Sequence, residues 1–323
     1  MDKVTKIWLI IAVSLVLIGC ALFAVTMSNL SWNFTKLSTD HYETNTYKIQ
    51  DDFNNIHMET DTADIVFTLS GDGNCRVECY EEENAKHTVT VKDGTLTIKL
   101  IDERTVSDYI GYIGIHYDTP KITVYLPEYQ YTSLFIEEDT GDIEIPKDFQ
   151  FETVEIKVST GDVKVFASAS EWMQIETNTG DLQVTDSVVG SLALSVSTGR
   201  MTVSQVDCPG EILLKISTGK TNLTDVTCER LLSRGGTGDI YLENVIVDKI
   251  FSIARGTGDV TFERCDAGEV FIQTDTGDVR GSFLTEKVFI TETDTGHVNV
   301  PKSANGGRCE ISTDTGDIRI EIG

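Results

Sequence analysis

The sequence predicts an all-β protein, a single-stranded β-solenoid (β-helix) of about ten coils, behind one N-terminal transmembrane helix. Three observations predict it. A Thr-Gly pair recurs with glycines at Gly141, Gly161, Gly180, Gly199, Gly219, Gly238, Gly258, Gly277, Gly296 and Gly316, always 19 or 20 residues apart. A period held that tightly assigns one coil to each repeat. Apolar residues alternate on both sides of each glycine, the period-2 signature of short strands with one face inward. Finally, Ile7 to Met27 is a run of 21 residues without a charge, long enough to cross a bilayer as a helix.

Composition narrows the function classes. The chain has 323 residues, 40% of them hydrophobic, with only 5 prolines, enough apolar material for a packed core. Its formal net charge is −26. Without Asp2, Lys3 and Lys6, the part beyond Met27 holds 24 basic against 51 acidic residues. Such a surface repels phosphate backbones, which excludes nucleic acid as a partner and disfavours anionic lipid as a ligand of the body. Cations, cationic partners and neutral glycans fit it.

The elements follow in chain order. Residues 1–6 form a short cytoplasmic N-terminus and 7–27 the transmembrane helix. Lys3 and Lys6 precede the helix and no basic residue follows closely, so the N-terminus is expected inside and the body outside. The site of a cleaved signal peptide is not evident. Leu17-Ile18-Gly19-Cys20 resembles a bacterial lipobox, which would lipidate Cys20, but the apolar run continues past it to Met27. Residues 28–46 read as a juxtamembrane linker, with Trp32 and Phe34 suited to the interface. Residues 47–131 read as an N-terminal β-sheet that caps the first coil, because an open solenoid end exposes both core and strand edge. Within it, Asp93-Gly94 between alternating runs signals a hairpin. Asp61-Thr62-Ala63-Asp64-Ile65 reads as a decayed copy of the repeat with Ala in the glycine's place.

Residues 132–323 are the solenoid. With the glycine as position zero, apolar residues favour −7 and −5, as in Val154 and Ile156, and return at +2 and +4, as in Val163 and Val165. Two strands joined by a bend explain the pattern. Glycine supplies a backbone conformation that a Cβ forbids, and the neighbouring Thr and Asp can bond the bend's amides. Ten coils at about 4.8 Å each make a rod of roughly 48 Å. Ile290 falls at −6 rather than −5, which reads as a one-residue insertion between Thr291 and Gly296.

Beyond Cys20 lie six cysteines, without a C-x-x-C or a zinc-like His/Cys spacing. Cys75 and Cys79 would sit about 13 Å apart along a strand, too far to bond. Cys208 and Cys228 each fall nine residues after a repeat glycine and should stack in adjacent coils, as buried thiols or as a disulfide.

A charged N-terminus, one membrane segment and repeats such as Ser159-Thr160-Gly161-Asp162-Val163, Asn178-Thr179-Gly180-Asp181-Leu182 and Asp275-Thr276-Gly277-Asp278-Val279 resemble the DUF4097 family of bacterial candidate adhesins. The likeness runs from Phe53 to the C-terminus. It implies a β-helix, right-handed by preference, on the outer face of the cytoplasmic membrane, typically in Gram-positive bacteria, with a link to envelope stress. It brings no catalytic residues.

Position +1 reads Asp142, Asp162, Asp181, Arg200, Lys220, Asp239, Asp259, Asp278, His297, Asp317. Like charges stacked at about 4.8 Å in water repel by about 1 kcal/mol, and Arg200 with Lys220 interrupts the ladder. Each Asp is expected to cap its bend. The alternative is weak Ca²⁺ binding by Asp275, Asp278, Asp294, Asp314 and Asp317, since Ca²⁺ takes several oxygens in flexible geometry. Gly235-Gly236-Thr237-Gly238-Asp239 misses the calcium β-roll spacing by one residue. No other cofactor is expected.

A carbohydrate-active β-helix enzyme would need clustered acids beside a base. Arg200, Lys220, Arg234 and Arg255 near Asp181 and Asp239 resemble such a set, but the acids all belong to the repeat, so the repeat explains them without catalysis. His297 reads as a surface substitution. The expectation is therefore a non-catalytic, membrane-tethered binding or scaffold module at the cell envelope, holding cell-wall material or an envelope protein. A module that reports envelope damage to a membrane sensor is a further reading.

Overall fold

The computed structural model describes residues 2–29, 31–32, 42–102 and 119–323. Phe34 and most of the linker lie outside the described residues. Helix Lys3–Asn29 contains the whole predicted span and is long and apolar enough to cross a membrane. Among the described residues beyond it, every regular element is a β-strand.

Each coil is wound from three short faces. In the five coils from Gly180 to Gly258, inward residues sit at −7 and −5, at +2 and +4, and again at +7 and +9. In the Gly219 coil these are Ile212 and Leu214, Thr221 and Leu223, Val226 and Cys228, all buried. A length of about twenty residues per coil fits two or three short faces, and the structure has three, the third carrying the Cys208–Cys228 stack. The bend before it lies at +6, where Asp186, Gln205, Asp225, Asn244 and Arg264 all adopt a left-handed backbone with φ between 49° and 54°. Coils pair in parallel with unbroken inward register, and their apolar residues fuse into one core running from Ile56 to Ile320. Cys208 lies directly beside Cys228, and both are buried free thiols.

Two features depart from simple stacking in chain order. At the N-terminal end an eleventh coil is built on Ala63. Strand Asn55–Thr62 pairs with Gln130–Thr140, and Ile65 pairs with Ile143, across about eighty residues of sequence. The decayed copy of the repeat is thus a working coil, and the predicted cap region 47–131 contains solenoid. Beneath it lie Thr95–Asp102 and Lys121–Leu126. Strand Cys75–Glu82 then runs antiparallel to Lys121–Leu126, and Tyr42–Ile49 runs antiparallel to Cys75–Glu82 and closes that end. The Asp93-Gly94 hairpin forms as expected, both residues having positive φ.

At the C-terminal end the last coil in sequence is not the last in space. Val270–Thr276 pairs with Cys309–Thr315, and Gly307–Thr315 in turn pairs with Lys287–Thr295, so the Gly316 coil lies between the Gly277 and Gly296 coils. Apolar content explains the order. The Gly316 coil turns Cys309, Ile311, Ile318 and Ile320 inward, each at most 4% exposed. The Gly296 coil offers Phe289, Thr291 and Val298 opposite Cys309, Ile311 and Ile318, with a threonine and a valine where the Gly316 coil has isoleucines. The more apolar coil takes the position with neighbours on both sides. The register also removes the predicted insertion: Phe289 pairs with Cys309 and Thr291 with Ile311, so Ile290 simply faces outward, 54% exposed.

Candidate functional site

The glycine bend is the most repeated surface feature, and its amides dictate its sequence. At Gly161 the N–H donates to the Thr179 carbonyl, and the N–H of Val163 donates to the Asp181 carbonyl. The amide between them, that of Asp162, points back down the stack, where a side chain accepts it: Oδ1 of Asp142, at 2.8 Å. The same bond joins Asp181 to Asp162, Asp259 to Asp239, Asp278 to Asp259, and Asp317 to Asp278. The Asp column is a hydrogen-bonded ladder in which each carboxylate caps the next coil's bend. The glycine itself answers to two demands. Gly238 has φ 127°, and a Cβ there would lie 1.9 Å from the Gly219 carbonyl oxygen.

The ladder breaks where predicted. Arg200 still donates its amide to Asp181 and sets its guanidinium 3.7 Å from the same carboxylate, while Lys220 lies 3.6 Å from Asp239. Of the groups weighed for catalysis, Arg234 faces outward, but Arg255 does not join it. Arg255 points into the core, 3% exposed, donating to Ser233 Oγ at 2.9 Å and to Thr221 Oγ1 at 3.3 Å. Its Nε and one terminal nitrogen find no acceptor, and burial pulls its guanidinium down to about 10. Its room comes from Gly235, where a Cβ would lie 1.9 Å from the guanidinium.

The five carboxylates considered for Ca²⁺ separate into two columns. Asp275, Asp314 and Asp294 stack in that order at −2, all exposed. Asp278 and Asp317 stack at +1, each with Oδ1 on a bend amide and Oδ2 on an arginine, Arg280 or Arg319. His297 lies above Asp317, its amide bonded to Oδ1 and its Nδ1 at 3.5 Å.

Beside the ladder runs a column that the sequence reading treated only as turn formers. Thr140, Thr160, Thr179, Thr198, Thr218, Thr237, Thr257, Thr276, Thr315 and Thr295 occupy −1 in spatial order, and all ten are exposed. Their spacing is that of strands, about 4.8 Å. A second feature escaped the sequence altogether, an open cleft of about 710 Å³ where the cap meets the first coils. Its wall carries Phe53, Tyr129 and Tyr131, the rings of Phe53 and Tyr131 stacked at 6.0 Å, and its rim carries Asp51, Asp52 and Glu128. Those residues come from a loop before Asn55–Thr62 and from the loop that enters strand Gln130–Thr140, before the first repeat glycine, so periodicity gave no signal.

A family model described as Toastrack DUF4097 matches residues 53–212. Over these residues the chain is similar to the DUF4097 family. The DUF4097 match ends at Ile212, within a strand whose pairing continues without interruption into the later coils. Solved structures of candidate adhesins from Bacteroides fragilis, Parabacteroides distasonis and Parabacteroides merdae align with it at 16%, 11% and 14% identity. Each alignment covers 88% of this chain and 98–99% of the other, with TM-scores of 0.41, 0.46 and 0.46. No curated protein matches the chain.

Proposed function

We propose that the protein is a membrane-tethered, extracytoplasmic binding module that holds cell-envelope material along its bend edge, without catalysis. The observation that carries this reading is the exposed column of ten threonines beside the acid ladder. It presents hydroxyls at strand spacing on a rigid backbone, and the neighbouring carboxylates are fixed because one oxygen of each is tied to an amide. A polymer with hydroxyls or amides repeated along its length, such as a wall glycan, can meet such an edge at many points, and multivalent contact multiplies weak single contacts. Helix Lys3–Asn29 supplies the tether, and Lys3 and Lys6 favour an N-terminus in the cytoplasm and a body outside.

Co-sedimentation of the detergent-solubilised chain with purified cell-wall sacculi, with calcium and with chelator, tests the reading. Binding in both conditions supports a direct hydroxyl and carboxylate edge. Binding only with calcium makes a bridging cation part of the acidic edge, with the exposed column Asp275, Asp314 and Asp294 as its first candidates. No binding in either condition overturns the wall-binding function.

A further inference from the structure

The cap holds a cluster of donors that neither the repeat nor the bend edge uses. Cys79 and Glu81 are two apart on strand Cys75–Glu82, so both turn to the inner face, and His87 meets them from Ala85–Lys92. All three are buried, Cys79 at 0%, Glu81 at 1% and His87 at 4% exposure. Cys79 is a free thiol. One ligand atom from each, the sulfur, a carboxylate oxygen and a ring nitrogen, lies within 4.8 Å of the other two. Among the described residues this is the one group of three or more such side chains that meets.

The surroundings are arranged as a donor set is. Glu81 Oε2 accepts from the His87 backbone N–H and lies 2.7 Å from Nδ1 of the same ring, while Asn45 Nδ2 donates to Oε1 at 2.8 Å. Tyr47 donates its hydroxyl to the His87 carbonyl at 2.8 Å, fixing the strand that carries the ring. Nε2 of His87 is nonetheless buried without any partner. The ring thus has one nitrogen beside the Glu81 carboxylate and the other without any protein partner, so it can offer a nitrogen to an ion. An interior carboxylate, thiol and imidazole are costly in a cap otherwise packed with Val77, Ile98 and Val124, and a cation at their centre offsets that cost.

We propose that Cys79, Glu81 and His87 bind one divalent transition-metal ion of the zinc class. Sulfur, imidazole and carboxylate together suit Zn²⁺, which takes all three, rather than Ca²⁺, which takes oxygens. Ligands about 2.0–2.3 Å from a tetrahedral ion stand about 3.3–3.8 Å from one another, so the Glu81–His87 contact, now 2.7 Å, opens by side-chain rotation as the ion enters. The Cys79 thiol proton leaves to solvent on binding. The ion would clamp hairpin Ala85–Asp102 to strand Cys75–Glu82, closing the solenoid end. This site is independent of the bend edge.

The test is a Co²⁺ titration of the purified full chain in detergent after chelator treatment. The expected result is one Co²⁺ per chain with a thiolate-to-cobalt charge-transfer absorption, displaced by Zn²⁺. Cys79→Ser removes that absorption, and His87→Gln weakens binding by more than about 100-fold, beyond the usual loss for a mere orienting partner. Cys75→Ser, four residues earlier on the strand, leaves both intact. Since Cys79→Ser has a chance of unfolding the cap, wild-type protein carries its own test: Zn²⁺ raises its Tm and chelator lowers it. Absence of the absorption in wild type, or its persistence in folded Cys79→Ser, overturns the site and leaves a buried Glu–His pair.

Discussion

At the scale of single residues, the bend shows why some positions are fixed and others are free to vary. Gly238→Ala places a Cβ against the Gly219 carbonyl at a φ that L-residues avoid, so thermal unfolding should reveal a loss of about 2–5 kcal/mol. Asp162→Ala leaves the Asp181 amide without its acceptor and should cost about 1 kcal/mol, while Asp162→Asn keeps an acceptor and costs less. These roles were legible in the sequence because the same residue recurs at the same step. Two buried charges were not, because each occurs once. Glu138 lies three residues before Gly141, facing inward, with Oε1 accepting the Ala63 amide at 3.1 Å and Oε2 unpartnered. Burial pushes its carboxyl from 4.5 up to about 8. A raised carboxyl means stability fully present below the unfolded value and lost as pH rises through the folded one. Wild-type Tm should therefore carry a downward component between pH 4.5 and about 8, and Glu138→Gln should remove it. An unchanged slope in the variant contradicts the assignment. Arg255→Thr, the residue type found at the equivalent Thr274 and Thr313, should stabilise by about 1–3 kcal/mol by removing a buried, half-satisfied charge.

Among the elements, the central coils take up the alternation between 19 and 20 residues at the third corner. In the Gly199 coil Cys208 and Glu211 pair with Cys228 and Arg230 of the next, so the longer coil takes its extra residue as a bulge at the third corner. The same shift recurs between Cys228/Arg230 and Val247/Ile250. The inward faces on both sides of that corner keep their register. Deleting Pro209 should therefore cost less than about 1.5 kcal/mol, since it converts one coil length into the other. Inserting Ala between Thr202 and Val203 turns an inward face outward and should cost more than about 4 kcal/mol. The sequence showed the period but not where its slack is taken up. The second corner was equally hidden: Asp186, Gln205, Asp225, Asn244 and Arg264 share a left-handed backbone but not a side-chain type, and only Asn and Asp advertise that conformation.

The whole molecule is ordered by burial rather than by chain direction. Ala63 supplies a coil from the far side of the cap, and the final coil slides inside the penultimate one. Spacing alone carries no information about either, because a solenoid repeat fits any neighbour of equal register; the clue lies in the weaker apolar set of the Gly296 coil. Truncation after Lys302 removes the coil that seats Lys287–Thr295, so hydrogen exchange there should become fast, whereas coils stacked in chain order would keep it slow. The apolar N-terminal helix, the acidic solenoid and the glycine bends were all readable from sequence; the use of the bend edge is the claim that remains to be measured. The most direct measurement is sacculus co-sedimentation of the wild-type chain against the triple variant Thr198→Val, Thr218→Val and Thr237→Val. Valine keeps the β-branched shape and removes three adjacent exposed hydroxyls. Binding weakened at least about tenfold with unchanged β-sheet content is the result expected from a multivalent edge. Equal binding by a folded triple variant would contradict it and move the contact elsewhere on the molecule.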